Sequence, residues 1–199
     1  MNRDQIAEEY LAVADEVFGS MMDQVEAVSR RIVACLRAGG KVMLCGNGGS
    51  AADAQHIAGE FINRFLKERR PYAAIALSTD TSVMSAIGND YSYDQVFEKQ
   101  VQALGRPGDL LWAISTSGNA GNVMRAVEAA RRGGIEVIGM TGGAGGKLAP
   151  VSDHLLCIRS TKSTPRIQEG HQLLFHLICE RLEELMVELD RQDGKEHCS

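Results

Sequence analysis

The stretch Lys41-Val42-Met43-Leu44-Cys45-Gly46-Asn47-Gly48-Gly49-Ser50-Ala51-Ala52-Asp53-Ala54-Gln55-His56-Ile57-Ala58-Gly59-Glu60-Phe61 decides the fold. It opens on a short, unbroken apolar run, the pattern of a parallel strand buried on both faces. It then crosses a glycine-rich loop and continues as a helical segment, predicted over residues 50–65. The small residues Ala51, Ala52, Ala54, Ala58 and Gly59 let a ligand or another helix approach that segment closely. Strand, glycine loop and helix together are the opening unit of a parallel α/β sheet.

The pattern repeats downstream. Further apolar segments at 73–77, 109–115, 136–140 and 154–158 are each closed by Gly, Ser, Thr or Asn. Helical patterns lie between and after them, at 81–86 with 93–104, at 119–132, briefly near 146–149, and finally at 165–189. Such alternation, with right-handed crossovers, predicts a doubly wound five-stranded parallel sheet of flavodoxin-like order 2-1-3-4-5. Upstream, Ile6, Tyr10, Val13, Ala14, Val17, Met21, Val25, Val28, Ile32 and Leu36 recur at helical spacing up to Gly39-Gly40. They predict a long N-terminal helical extension, as one helix or two in succession, whose stripe covers the core and a neighbouring subunit. The expectation is one domain over 1–199: helices in 1–38, core in 39–189 and a flexible polar tail in 190–199.

Composition narrows the function. A net charge of −5 offers no footprint for nucleic acid, and no run reaches membrane-spanning length. The clusters Lys67-Glu68-Arg69-Arg70 and Arg131-Arg132 read as solvated helix ends. Five scattered cysteines (Cys35, Cys45, Cys157, Cys179, Cys198) without a CxxC pair support neither a disulfide framework nor a thiolate metal site. The polar start, without an apolar signal region, goes with a reduced, cytoplasmic protein.

Two loops can hold an anion. Gly46-Asn47-Gly48-Gly49-Ser50-Ala51 permits close backbone approach at a helix N-terminus, and Ser115-Thr116-Ser117-Gly118-Asn119 offers three hydroxyls beside another. Either alone is common in α/β proteins. In the 2-1-3-4-5 order, however, both face the switch-point crevice, which points to one phosphate-bearing ligand. Gly46, Gly48 and Ala51 also match a dinucleotide fingerprint, but the acidic candidate Asp80 lies 34 residues beyond Gly46, too far for it. No Gly-Lys-Ser/Thr follows, so a Walker A loop is excluded.

Two polar groupings can do chemistry. His56 and Glu60 stand at i, i+4 on one helix face, suited to sharing a metal ion or a proton, although the pair in isolation reads as a surface ion pair. His176 sits among Leu173, Leu174, Phe175, Leu177 and Ile178, where an imidazole needs a hydrogen bond or a ligand. His154, His171 and His197 read as structural or solvent-exposed. Gln168 and His176 lie about 12 Å apart along a continuous helix and diverge by about 80° around it. If both serve one site, they come from different protomers, or Gln168 leaves the regular helix.

The run from Gly46 to Phe61, with Leu77-Ser78-Thr79-Asp80, Gly88-Asn89-Asp90, Ser115-Thr116-Ser117-Gly118-Asn119 and Arg166-Ile167-Gln168-Glu169, resembles the bacterial phosphoheptose isomerases of the sugar-isomerase (SIS) domain family. The resemblance implies interconversion of sedoheptulose 7-phosphate and D-glycero-D-manno-heptose 7-phosphate, the first step toward ADP- and GDP-heptose. It also implies a homotetramer with active sites at subunit interfaces and one zinc ion per site. Carried over, the zinc ligands are His56, Glu60, Gln168 and His176. The substrate contacts are Asn47, Gly48, Gly49, Ser50, Glu60, Asn89, Asp90, Ser115, Thr116, Ser117 and Gln168. Glu60 is then the base of an enediol mechanism and His176 its acid/base partner. Ala120 departs from the pattern, where the family often has a serine, so a phosphate-binding hydroxyl is lost. A non-catalytic SIS regulatory protein and an isomerase of another sugar phosphate are the competing readings. The presence of both Glu60 and His176 places the chain with the enzymes.

Overall fold

Side chains alternate along each strand, and here both sets are apolar, so helices must cover both faces of the sheet. Val42, Leu44, Leu110, Trp112, Ile138 and Met140 point into one buried cluster, and Met43, Cys45, Leu111, Ala113 and Val137 into the other. The computed structural model describes residues 2–193. Its elements are α1 (Arg3–Ser20), α2 (Met22–Arg37), β1 (Val42–Cys45), α3 (Gly49–Ile62), β2 (Ala74–Ala76), α4 (Thr81–Asp90) and α5 (Val96–Leu104). There follow β3 (Leu110–Ile114), α6 (Gly121–Arg132), β4 (Glu136–Gly142), β5 (His154–Ile158) and α7 (Thr164–Gln192). Short 3-10 turns occupy Tyr93–Gln95 and Ala149–Val151.

The sheet is wholly parallel in the order β2-β1-β3-β4-β5, as the sequence predicted. Cys45 pairs with Ala113, so the loops after β1 and β3 leave the same edge side by side. The N-terminal extension is two helices: Val13 and Val17 of α1 and Val25, Val28, Ile32 and Leu36 of α2 enter the core. Tyr10, Leu11 and Phe18 of α1 remain exposed.

Several expectations need correction. The segment near 146–149 is not a helix: Gly145 and Gly146 adopt positive φ (85° and 57°), and a 3-10 turn follows. The helix expected at 81–86 continues to Asp90, and 93–104 divides into a 3-10 turn and α5. α7 runs to Gln192 because Asp190 is buried and paired with Arg70 and Arg37. Residues 190–192 therefore belong to the helix rather than to a tail, Asp193 is its C-cap, and the remainder of that expected tail, 194–199 with His197 and Cys198, lies outside the described residues.

The basic clusters behave differently from each other. Arg131 and Arg132 are exposed at the end of α6, as expected, whereas Arg69 is buried against Glu183. Cys35, Cys45, Cys157 and Cys179 are buried free thiols, and burial pushes the Cys45 thiol up to about 12.

Candidate active site

The first loop is shaped by Gly48, whose φ of 56° opens α3 in a conformation that favours glycine. Among the described residues, no side chain caps this helix end, and Ser50, Ala51 and Ala52 bond back to the carbonyls of Asn47 and Gly48. The second loop closes through Gly118 N–H donating to Ser115, and Asn119 N–H donating to Ser117 Oγ at 3.2 Å. A Cβ on Gly118 would strike the backbone of Gly145, so the glycine run after β4 buttresses this loop. Ala120 is the N-cap of α6 and supplies no side-chain acceptor, while the Val123 N–H of the first turn donates to Asn122 Oδ1 at 2.9 Å.

Asn47 and Asn122 bind the two sides of the crevice together through reciprocal amide hydrogen bonds, each 2.8 Å. Asn122, in the first turn of α6, is 3% exposed, and Tyr93 Oη adds a 3.3 Å bond to Asn47 Oδ1. Neither Asn122 nor Tyr93 was anticipated. The only signal for Asn122 was its place one turn after the hydroxyl loop, where an amide can reach across the crevice.

The second grouping lies where α3 packs on α7. His56 Nε2 is 3.0 Å from Glu60 Oε1, and His176 Nε2 is 3.5 Å from His56 Nε2. One ligand atom from each of the three residues can be chosen so that all lie within 4.8 Å of one another. Two imidazole nitrogens facing each other beside a carboxylate need either a shared proton or a cation. Two histidines and a carboxylate suit zinc or another divalent transition ion, so the donor set fits the implied metal.

Aromatic rings hold the histidines. Phe175 meets both edge-on at centroid distances of 5.1 and 4.6 Å, and Phe65 stacks on His176 at 5.9 Å and 28°. Burial, reinforced by the neighbouring His56, holds the His176 imidazole below its usual pKa, and Glu60 pulls the other way. Burial thus favours the neutral imidazole, which carries one N–H to give and one lone pair to accept a proton or bind a cation.

The remaining predicted residues divide. Gln168 is on the regular α7 helix, which removes one of its two options, and its amide lies where a Cβ on Gly49 would be. Within one chain it therefore belongs with the first loop and not with His176. Asn89 and Asp90 are exposed in the last turn of α4, bonded to each other at 2.8 Å. Asp80, weighed above as a ribose ligand, caps α4 through Val83 N–H. His171 is structural: it is fully buried, with Nε2 2.9 Å from the Thr141 carbonyl.

The family described as the SIS domain matches residues 6–142 of this chain. The phosphoheptose isomerase of Rhodospirillum rubrum is 56% identical over 156 residues, covering 78% of this chain and 82% of that protein. That of Nitratidesulfovibrio vulgaris (strain Miyazaki F) is 49% identical over 182 residues, covering 92% and 87%. Among solved structures, the phosphoheptose isomerase of Neisseria gonorrhoeae superposes with a TM-score of 0.83 at 44% identity, covering 90% of this chain and 98% of the other. The phosphoheptose isomerase from Francisella tularensis gives 0.85 at 36% identity, covering 91% and 96%.

Proposed function

This chain belongs to the phosphoheptose isomerases of the SIS-domain family and is an isomerase, and on that footing we propose that it interconverts sedoheptulose 7-phosphate and D-glycero-D-manno-heptose 7-phosphate in the cytoplasm. The observation that carries the mechanism is the convergence of His56 and Glu60, on the helix α3 that begins at the first loop, with His176 of α7.

The reaction moves one proton between adjacent carbons and one between their oxygens. Glu60, as base, takes the C1 proton of the ketose and returns it to C2 through an enediol. His176 gives a proton to the C2 oxygen and receives one from the C1 hydroxyl, so charge and atoms balance. The loops with Asn47, Gly48, Gly49, Ser50, Ser115, Thr116 and Ser117 grip the phosphate, and that remote binding energy positions the reacting end. Asn89 and Asp90 are assigned to the sugar hydroxyls.

A zinc ion would be held by His56, Glu60 and His176, with Gln168 as fourth ligand, and supplies Lewis-acid polarisation of the substrate oxygens when bound. Gln168 lies about 12 Å along α7 from His176 and beside Gly49, so we assign this fourth ligand to a second copy of the chain. That assignment supports a homotetramer with sites completed at subunit interfaces. Glu60→Gln tests the base: sugar-phosphate binding stays within a few-fold of wild type while turnover disappears. Unchanged turnover rejects the assignment.

A further inference from the structure

The segment between α3 and β2 is exposed along most of its length, yet one buried ion pair holds it. Arg69 and Glu183 have side chains only 2% exposed, with Nε 3.1 Å from Oε1. Glu183, on α7, also accepts the backbone N–H groups of Phe65, Leu66 and Lys67 at 3.0, 2.8 and 2.8 Å. Arg69 donates to the carbonyls of Glu60, Phe61, Asn63 and Arg70 at 2.6, 2.9, 2.5 and 3.1 Å. Its guanidinium also lies 3.9 Å from the Tyr72 ring centroid.

The partners reveal what the pair does. Glu60 and Phe61 are in the last turn of α3, whose carbonyls have no partner inside the helix, so Arg69 caps the turn that carries the proposed base. Glu183 stands seven residues after His176, two turns on along a similar face of α7. By holding the Phe65 N–H it seats the Phe65 ring on the His176 imidazole. The hydrogen bonds of the pair thus fix the backbone of Glu60 and the ring packed on His176. A buried ion pair is weak as a source of stability, since well-packed apolar residues do as well, whereas directed hydrogen bonds fix geometry.

We propose that Arg69 and Glu183 are positioning residues that lock the end of α3 to α7 and keep the Glu60 carboxylate and the His176 imidazole in register. The proposal rests on the reading that those two residues do the chemistry.

Glu183→Gln, Arg69→Lys and Phe65→Leu test it, at a temperature where circular dichroism shows each variant folded. The readouts are kcat and KM for sedoheptulose 7-phosphate and the visible absorption of the protein titrated with Co2+ alone. Glu183→Gln and Arg69→Lys are expected to lower kcat by about tenfold to a hundredfold, the cost of misplacing a catalytic group by an ångström or less, with KM nearly unchanged. They should also alter the Co2+ spectrum. Phe65→Leu should lower kcat with the ion pair intact, and adding it to Glu183→Gln should cost little more, because both act through one contact. Folded Glu183→Gln and Arg69→Lys with wild-type kcat and a wild-type Co2+ spectrum overturn the proposal, as does a loss carried by KM alone. If the wild type turns over no heptose phosphate, the isomerase reading fails. The Co2+ spectra still decide whether the pair sets the geometry of His56, Glu60 and His176.

Discussion

Asp53 is a buried carboxyl that the proposed chemistry leaves unused. It is 4% exposed, one turn before His56 on α3, and its Oδ2 has no hydrogen-bond partner among the described residues. Burial pushes its pKa up to about 6, against the pull of Gln172 and His56. A folded-state pKa above the unfolded value means that its stabilising contribution is full below about pH 4 and lost as pH rises through 6. Asp53→Asn should therefore be more stable than wild type at pH 7.5, by on the order of 2 kcal/mol, with the gain gone at pH 4. Urea melts at the two pH values check this, and an equal difference at both contradicts it. His171 works in the opposite sense, since burial depresses its pKa to about 4. Its contribution is present above about pH 6.5 and lost as pH falls through 4. At this scale spacing and apolar setting marked His56, Glu60 and His176 as candidates, and the resemblance to the phosphoheptose isomerases assigned their roles. Arg69 and Asp53 were hidden. A Lys-Glu-Arg-Arg run looks solvated until Glu183, distant in sequence, is seen beside it, and a carboxyl among alanines gives no sign of burial.

Among the elements, α6 carries the clearest consequence of a single departure. Ala120 has the extended backbone of an N-cap (φ −63°, ψ 120°) but no side-chain oxygen to accept from the first turn. Ala120→Ser should add about 1 kcal/mol of stability and lower KM for the sugar phosphate, because the new hydroxyl serves both the cap and the anion. Calorimetry and steady-state kinetics check the pair, and a gain in stability with KM unmoved would remove Ala120 from the phosphate site. The reciprocal amide bond gives a complementary expectation. Asn122→Ala frees Asn47 and should raise KM about tenfold or less with little effect on kcat, since it disturbs phosphate binding rather than the base. A fall in kcat alone contradicts that division. The strands were legible because each is a short apolar run closed by turn residues. The ends of α4 and α7 were not, because α7 continues through ion pairs made by Asp190 with distant arginines. The turn after β4 was misread as helical because its glycines serve close packing on the hydroxyl loop.

For the whole molecule, the strand order is what brings the two loops to one edge, and the alternation of strand and helix patterns along the chain pointed to it. What one sequence displays poorly is the relation between copies. The proposed completion of sites across copies draws on the separation of Gln168 from His176 along one helix. Co-expression of Glu60→Gln with Gln168→Ala, each inactive alone, should restore activity in mixed oligomers. Under the interface arrangement some sites then receive both native residues, and persistent inactivity in isolated mixed oligomers contradicts it. The central claim, that this chain moves a proton between adjacent carbons of a heptose phosphate through Glu60, is tested most directly by proton NMR in deuterated water. Purified wild type and Glu60→Gln are each incubated with sedoheptulose 7-phosphate while the C1–C2 region is followed. The account predicts an aldoheptose 7-phosphate from the wild type, and none from a Glu60→Gln protein that still binds the sugar. No aldoheptose from the wild type, or its formation by Glu60→Gln at the wild-type rate, would contradict it.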